Sequence, residues 1–229
     1  MPLLTDKIAL VTGASRGFGF AAARALAVEG AHVVAVARTL GGLEELDDRI
    51  GEAGGKAVLV PLDITDDPGI QRMAAAVSER FGRVDLWLHT AAFAPQNEPA
   101  YLADRKEVEK TWAVNVTAFH RLVRMVDPLL RAGPMGTALI VSEDVVGEPF
   151  RSTYASAKAA QAAITRAWAE EVRRTMTVAL VAPPPMPTAL RAKAYPGEDR
   201  TKLMTIDEAA SRLISALRAG IAPGQTIAL

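Results

Sequence analysis

The stretch Lys7-Ile8-Ala9-Leu10-Val11-Thr12-Gly13-Ala14-Ser15-Arg16-Gly17-Phe18-Gly19 is an apolar run that passes directly into a glycine-rich turn. Lys7 to Thr12 reads as a short buried parallel strand. An Ala-rich helix follows the glycines as far as Glu29, where Gly30 stops it, and His32 to Ala37 reads as a second strand. This is a βαβ unit with glycines in its first turn. Glycines there let the backbone come close to a pyrophosphate, while the helix N-terminus supplies oriented N–H groups and a partial positive charge. The spacing Gly-x-x-x-Gly-x-Gly is one residue longer than the commoner dinucleotide fingerprint. A tight strand-to-helix turn needs glycine too, but three glycines in strand–helix context favour a nucleotide. Gly13, Ser15, Arg16, Gly17, Phe18 and Gly19 are the expected cradle.

The end of the second strand decides which nucleotide. An acid about 20 residues past the glycines would bind a ribose 2′-hydroxyl, whereas an arginine suits a 2′-phosphate. Ala37 stands where the acid would be, Arg38 follows, and Arg16 is a second cation in the glycine loop. The expected cofactor is NADP(H).

The alternation then continues. Helical patterns over Leu43–Glu52, Pro68–Phe81, about Leu102–Leu130, the Tyr154 segment to about Arg174, and Ile206–Ala219 alternate with strands. The strands are Ala57–Pro61, Val84–His89, Thr137–Val141, Met176–Val181 and Thr226–Leu229. Strands alternating with helices imply an α/β fold, a Rossmann-like doubly wound parallel sheet of about seven strands with helices on both faces in three layers. No linker, repeat or low-complexity tract divides residues 1–229, so one domain is expected, with a substrate loop and helix at about 183–206.

Composition narrows the function. Lysine and arginine total 26, as do aspartate and glutamate, so no basic field exists to hold nucleic acid or an anionic membrane. Without cysteine there is no disulfide framework, thiol nucleophile or cysteine-based zinc site. His32, His89 and His120 lack metal-ligand spacing. No apolar run reaches spanning length and the N-terminal residues lack a signal-peptide layout, so a cytoplasmic protein is expected.

In Ser152-Thr-Tyr-Ala-Ser-Ala-Lys158, Tyr154 and Lys158 are four residues apart in an Ala-rich helical run, which sets both on one face. A nearby ammonium favours phenolate and lowers a pKa that is about 10 when unperturbed, making tyrosine a usable acid or base.

The Gly13–Gly17–Gly19 turn, Asp63, Asn115 and Tyr154-x-x-x-Lys158, in this order, resemble the motif set of the short-chain dehydrogenase/reductase family over essentially the whole chain. Residues 189–199 are similar to a bacterial branch of largely uncharacterised oxidoreductases within it. The resemblance implies that Tyr154 exchanges a proton with the substrate oxygen, while Lys158 tunes it and holds the nicotinamide ribose. It also implies that Asn115 helps hold a water relaying protons to Lys158, that Asp63 meets the adenine amine beside Ile64, and that Thr188 meets the carboxamide. Ala91, Ala92 and Pro183 are the remaining expected cofactor contacts.

Two places depart from the family pattern. Its Asn-Asn-Ala-Gly becomes His89-Thr90-Ala91-Ala92, leaving Thr90 as the nearest replacement for the asparagine's hydrogen bonds. Its Pro-Gly becomes Pro183-Pro184, which fixes φ and removes an N–H near the nicotinamide. The catalytic serine position falls on Ser142, with Glu143 or Asp144 as alternatives. The expected activity is NADP(H)-dependent carbonyl reduction or secondary-alcohol oxidation on a small molecule; the rival is an NADP-binding protein with little catalysis. Ala155, Ala159, Ala162 and Ala163 suggest a homodimer through the Tyr154 helix and the long helix before it, with a tetramer as the alternative.

Overall fold

The structure is a computed structural model that describes residues 2–229. Its seven strands are β1 (Ile8–Thr12), β2 (His32–Ala37), β3 (Ala57–Pro61), β4 (Leu86–His89), β5 (Thr137–Val141), β6 (Thr177–Ala182) and β7 (Thr226–Ala228). They form one sheet in the order β3-β2-β1-β4-β5-β6-β7, every neighbouring pair parallel. The helices are α1 (Gly17–Val28), α2 (Leu40–Gly51), α3 (Asp67–Phe81), α4 (Arg105–Trp112), α5 (Ala118–Arg131), α6 (Ser152–Val172), α7 (Ala189–Ala194) and α8 (Ile206–Ala219).

The layers follow from residue parity along the strands. In β1, Ile8 and Leu10 face a core shared with Ile70 of α3, Phe119 and Leu122 of α5, and Trp168 of α6. Ala9 and Val11 point the opposite way, against Leu26 of α1, Leu43 and Leu46 of α2, and Leu213 of α8. Successive side chains leave a strand on opposite faces, so a continuously apolar strand must be covered twice. Trp87 is fully buried and stacks on Phe119, with ring centroids 6.0 Å apart. Each such buried side chain contributes about 1.5–3 kcal/mol.

Strand order reverses direction between β1 and β4, which opens a crevice at the carboxyl ends of the strands. At the opposite end of the same pair, Asp85 is buried. Its Oδ2 accepts from the Ile8 backbone N–H at 2.9 Å and it pairs with Arg83 at 3.1 Å and Lys7 at 3.5 Å.

The helix expected from about Leu102 to Leu130 is a 3₁₀ turn (Ala100–Leu102), then α4, then a π-helical turn (Ala113–Thr117), then α5. The wide turn carries buried Asn115, whose Oδ1 accepts from the Phe93 N–H at 2.8 Å and whose Nδ2 donates to the Phe93 carbonyl at 2.7 Å. The amide thus closes on the loop after β4, and the backbone widens to deliver it. The other differences are of one to three residues at element ends.

Candidate functional site

At the β1 turn, Gly13 has φ +90°, and a side chain there would lie 2.6 Å from both the Ala91 nitrogen and the Thr90 hydroxyl. A Cβ on Gly19 would strike the Thr90 hydroxyl and the Gly13 carbonyl. Glycine is therefore demanded by the loop after β4 crossing directly over the turn. Thr90 Oγ1 reaches the carbonyls of Thr12 at 2.9 Å and Gly13 at 3.2 Å. It supplies the stitch left open where the family asparagine is missing. Arg16 occupies the position before α1 without capping it, so the first-turn N–H groups of the helix face open space.

That space is a cleft of about 810 Å³. Gly13, Ser15, Arg16, Gly17, Phe18 and Gly19 line it from the α1 side, and Arg38, Asp63 and Ile64 from the ends of β2 and β3. Ala91 and Ala92 line it from the β4 loop, Pro183 and Thr188 from the β6 loop, and Ser142, Tyr154 and Lys158 from β5 and α6. Asn115 lies behind this wall, and Val114 takes its place on the surface. Arg16 and Arg38 are exposed, Arg38 standing 3.9 Å from Asp63. Burial raises the Asp63 carboxyl, but the Thr65 N–H and hydroxyl, with Arg38 and Lys110, bring it below the usual range. Thr188 caps α7 by accepting from the Arg191 N–H at 3.2 Å.

The glycine turn, the uncapped α1 and the two arginines make this end of the cleft fit for a dinucleotide diphosphate and a 2′-phosphate. The fit rests on the chain's own geometry: a turn closed to any side chain and a helix end with no protein acceptor.

At the other end, the structure reverses one expectation. Tyr154 is buried, and its hydroxyl donates to Glu143 Oε2 at 3.0 Å, not to Ser142. Burial, then the Glu143 carboxylate, pushes the phenol well above its ordinary value, whereas the sequence suggested a depressed one. Lys158 cannot counter this. Its Nζ donates to the Val141 carbonyl at 2.7 Å and to Gln161 Oε1 at 2.5 Å. Burial lowers the Lys158 ammonium to about 8, against a partial opposing effect of Glu143. His89, buried and bonded through Nδ1 to Thr12 Oγ1 at 2.7 Å, is lowered to about 3 by burial and by Lys158, and is neutral.

Glu143 is placed by residues that no sequence motif marks. Arg151, immediately before α6, has a side chain only 3% exposed and lies 3.5 Å from Glu143 and 2.9 Å from Glu148. It also donates to the Tyr195 hydroxyl at 2.6 Å, and that hydroxyl donates to Glu148 at 2.5 Å. The Tyr195 ring lies under Arg191, which pairs with Glu198. The network ties the β5 loop to α7 across the cleft. Gln161, three residues after Lys158, was detectable as a same-face neighbour. Arg151 carried no such signal.

The chain matches the family profile described as short chain dehydrogenase over residues 7–199. It is 34% identical over 226 residues to a fatty acyl-CoA reductase of Mycobacterium tuberculosis, covering 94% of this chain and 74% of that protein. It is 31% identical over 209 residues to the uncharacterized oxidoreductase YciK of Escherichia coli, covering 89% and 82%. A short chain dehydrogenase from Shigella flexneri, solved in complex with NADP, superposes with a TM-score of 0.95 at 28% identity, over 99% of this chain and 98% of that one. The profile match over most of the chain and these similarities show that the chain belongs to the short-chain dehydrogenase/reductase family of oxidoreductases.

Proposed function

We propose that the protein is an NADP(H)-dependent oxidoreductase that interconverts a small-molecule carbonyl and its alcohol within residues 1–229, the segment 183–206 shaping the substrate end. One observation carries this reading: a single cleft joins the open α1 terminus and Arg16 and Arg38 to Tyr154 and Lys158. Bound reduced nicotinamide supplies hydride. Tyr154, held as a phenol by burial and by Glu143, is the proton donor to the substrate oxygen in the reducing direction. Lys158 presents its ammonium between Val141 and Gln161, Asn115 fixes the loop after β4, and Ser142 offers a hydroxyl on the same wall. In the reverse direction the alcohol's O–H proton passes to the Tyr154 oxygen as the phenol's own proton moves to Glu143, 3.0 Å away.

The test pairs cofactor titration with turnover. NADPH should bind at least about tenfold tighter than NADH, because charge-assisted bonds to a phosphate contribute about 1.5–3 kcal/mol each. Arg38→Ala should remove most of that preference, and a screen of ketones, aldehydes and quinones should find one that is reduced. A second reading, cofactor binding with little catalysis, is favoured by the engagement of the Tyr154 proton with Glu143. Tight NADPH binding with no reduction across the screen would establish it.

We further propose a cytoplasmic homodimer. The structure buries Ala155 and Ala162 within their own subunit, which removes them from any contact face, and leaves Ala159 and Ala163 exposed. Trp112 at the end of α4 is also exposed. Light scattering showing a monomer at micromolar concentration would overturn this.

A further inference from the structure

The reacting end of the cleft is rich in acceptors and poor in donors. Tyr154 has one proton, and it is directed at Glu143, so the phenol turns a lone pair toward the cleft. The Glu143 side chain is 31% exposed, and it lines the cleft. Its paired cation is shared: Arg151 serves both Glu143 and Glu148, so Glu143 has no cation to itself. Across the cleft, Pro183, Pro184, Pro185 and Pro187 have no N–H, leaving Met186 as the only backbone donor from 183 to 187. The Lys158 ammonium is turned to Val141 and Gln161. Ser142 and Tyr195 carry the remaining hydroxyls here; Tyr195 donates its proton to Glu148, and Arg191, which also lines the cleft, donates to Glu198. Val145 and Leu190 of the cleft lining pack with Tyr154 and supply the apolar surface there.

A carbonyl oxygen needs donors, and more of them as negative charge develops on it. A carboxylate bonded to the tyrosine hydroxyl at this end works against that charge. A protonated nitrogen has the opposite requirement. It donates to Glu143 and to the Tyr154 oxygen, and its positive charge is matched when placed against a carboxylate.

We propose that the preferred substrate of this site is a protonated imine on an apolar carbon skeleton, with Glu143 as the residue that selects C=N over C=O. The inference rests on the hydride-transfer reading above and specifies its acceptor. In the step, the C=N π bond breaks and its electron pair settles on nitrogen. The carbon forms a new C–H bond with hydride from the reduced nicotinamide, which is oxidised as the imine is reduced. The nitrogen already carries its proton, so a cationic iminium becomes a neutral secondary amine and no further proton is consumed. Glu143 holds the N–H throughout, and Arg151 is a positioning residue that holds Glu143.

The experiment uses the full chain saturated with NADP⁺ and measures, by calorimetry, binding of methylpyrrolidine against methylcyclopentanol. The protonated amine should bind at least about tenfold tighter, a preference that Glu143→Gln should abolish while leaving NADP⁺ affinity intact. In turnover with NADPH, methylpyrroline should be reduced at least tenfold more efficiently than cyclopentanone in the wild type. Glu143→Ser should reverse that order, and this gain for the ketone is a result that a misfolded variant cannot give. Equal binding of amine and alcohol, or cyclopentanone reduced as well as methylpyrroline with Glu143→Gln indifferent to both, would overturn the inference while leaving NADP(H)-dependent reduction standing. Failure of the protein to bind NADP⁺ at all would overturn both.

Discussion

The β1–β4 pair is fastened at both ends, and the two fastenings differ in kind. At the amino end, the Asp85 carboxylate holds the Ile8 N–H with Lys7 and Arg83 around it. At the carboxyl end, a neutral hydroxyl, Thr90, holds the carbonyls of Thr12 and Gly13. A charge at the amino end meets two cations and lies outside the cleft lining. A carboxylate at the carboxyl end would face the diphosphate position beside α1 and repel it. The carboxyl end does contain a carboxylate, Glu143, but displaced to the tyrosine, with one side held by Arg151 and the other open to the cleft. Closed pairing serves stability, and the half-open carboxylate is available for chemistry.

The sharpest way to separate the two ends is to compare activity with stability. Tyr154→Phe should reduce carbonyl turnover about 10²–10⁴-fold, the typical share of general acid catalysis, with NADPH affinity retained. Chemical denaturation should show little change, since the ring remains packed against Val145 and Ala155.

Lys158 makes the carboxyl end sensitive to pH. Its folded value of about 8 lies below the ordinary 10.5. Between those values the unfolded chain binds the proton more tightly, so this group's contribution to stability rises with pH through that window and is smallest below it. A shift of that size corresponds to roughly 3 kcal/mol. Urea midpoints of the wild type should therefore gain on those of Lys158→Met between about pH 8 and 10.5. Parallel curves would show that the ammonium is not desolvated. At the amino end, Asp85→Ala leaves the Ile8 N–H without its acceptor and should cost about 1–3 kcal/mol of stability, with turnover per folded molecule unchanged.

The sequence made the sheet and the nucleotide end legible because both depend on local pattern. Apolar runs, helix stops and the glycine spacing sit within a few residues of one another, and the parity of Ile8, Ala9, Leu10 and Val11 follows from strand geometry alone. The tyrosine end was legible only as a pair. Glu143 meets Tyr154 because the loop from Ser142 to Arg151 folds back, a path that no periodicity encodes. The direction of the Tyr154 shift was missed because burial, and then this carboxylate, sets it. The π turn was hidden because the chain continues as helix on both sides of Asn115, and only its partner Phe93, 22 residues earlier in the chain, explains the wide turn.

The smallest expected effect tests the neutral fastening itself. In Thr90→Val, shape is kept while the bonds to the Thr12 and Gly13 carbonyls are lost. A typical hydrogen bond contributes about 0.5–1.5 kcal/mol net, and these carbonyls are left partly buried, so stability should fall by about that amount. Because Gly13 and Gly19 both lie against the Thr90 hydroxyl, the turn loses its brace, and NADPH affinity should fall severalfold along with stability. Asp85→Ala makes the matching control: it loosens the same strand pair at the amino end without touching the turn. If both variants weaken NADPH binding equally, the carboxyl-end fastening has no special role and the cofactor simply follows overall stability. If Thr90→Val alone weakens it, the hydroxyl holds the cradle in shape, and the threonine performs the work of the absent asparagine.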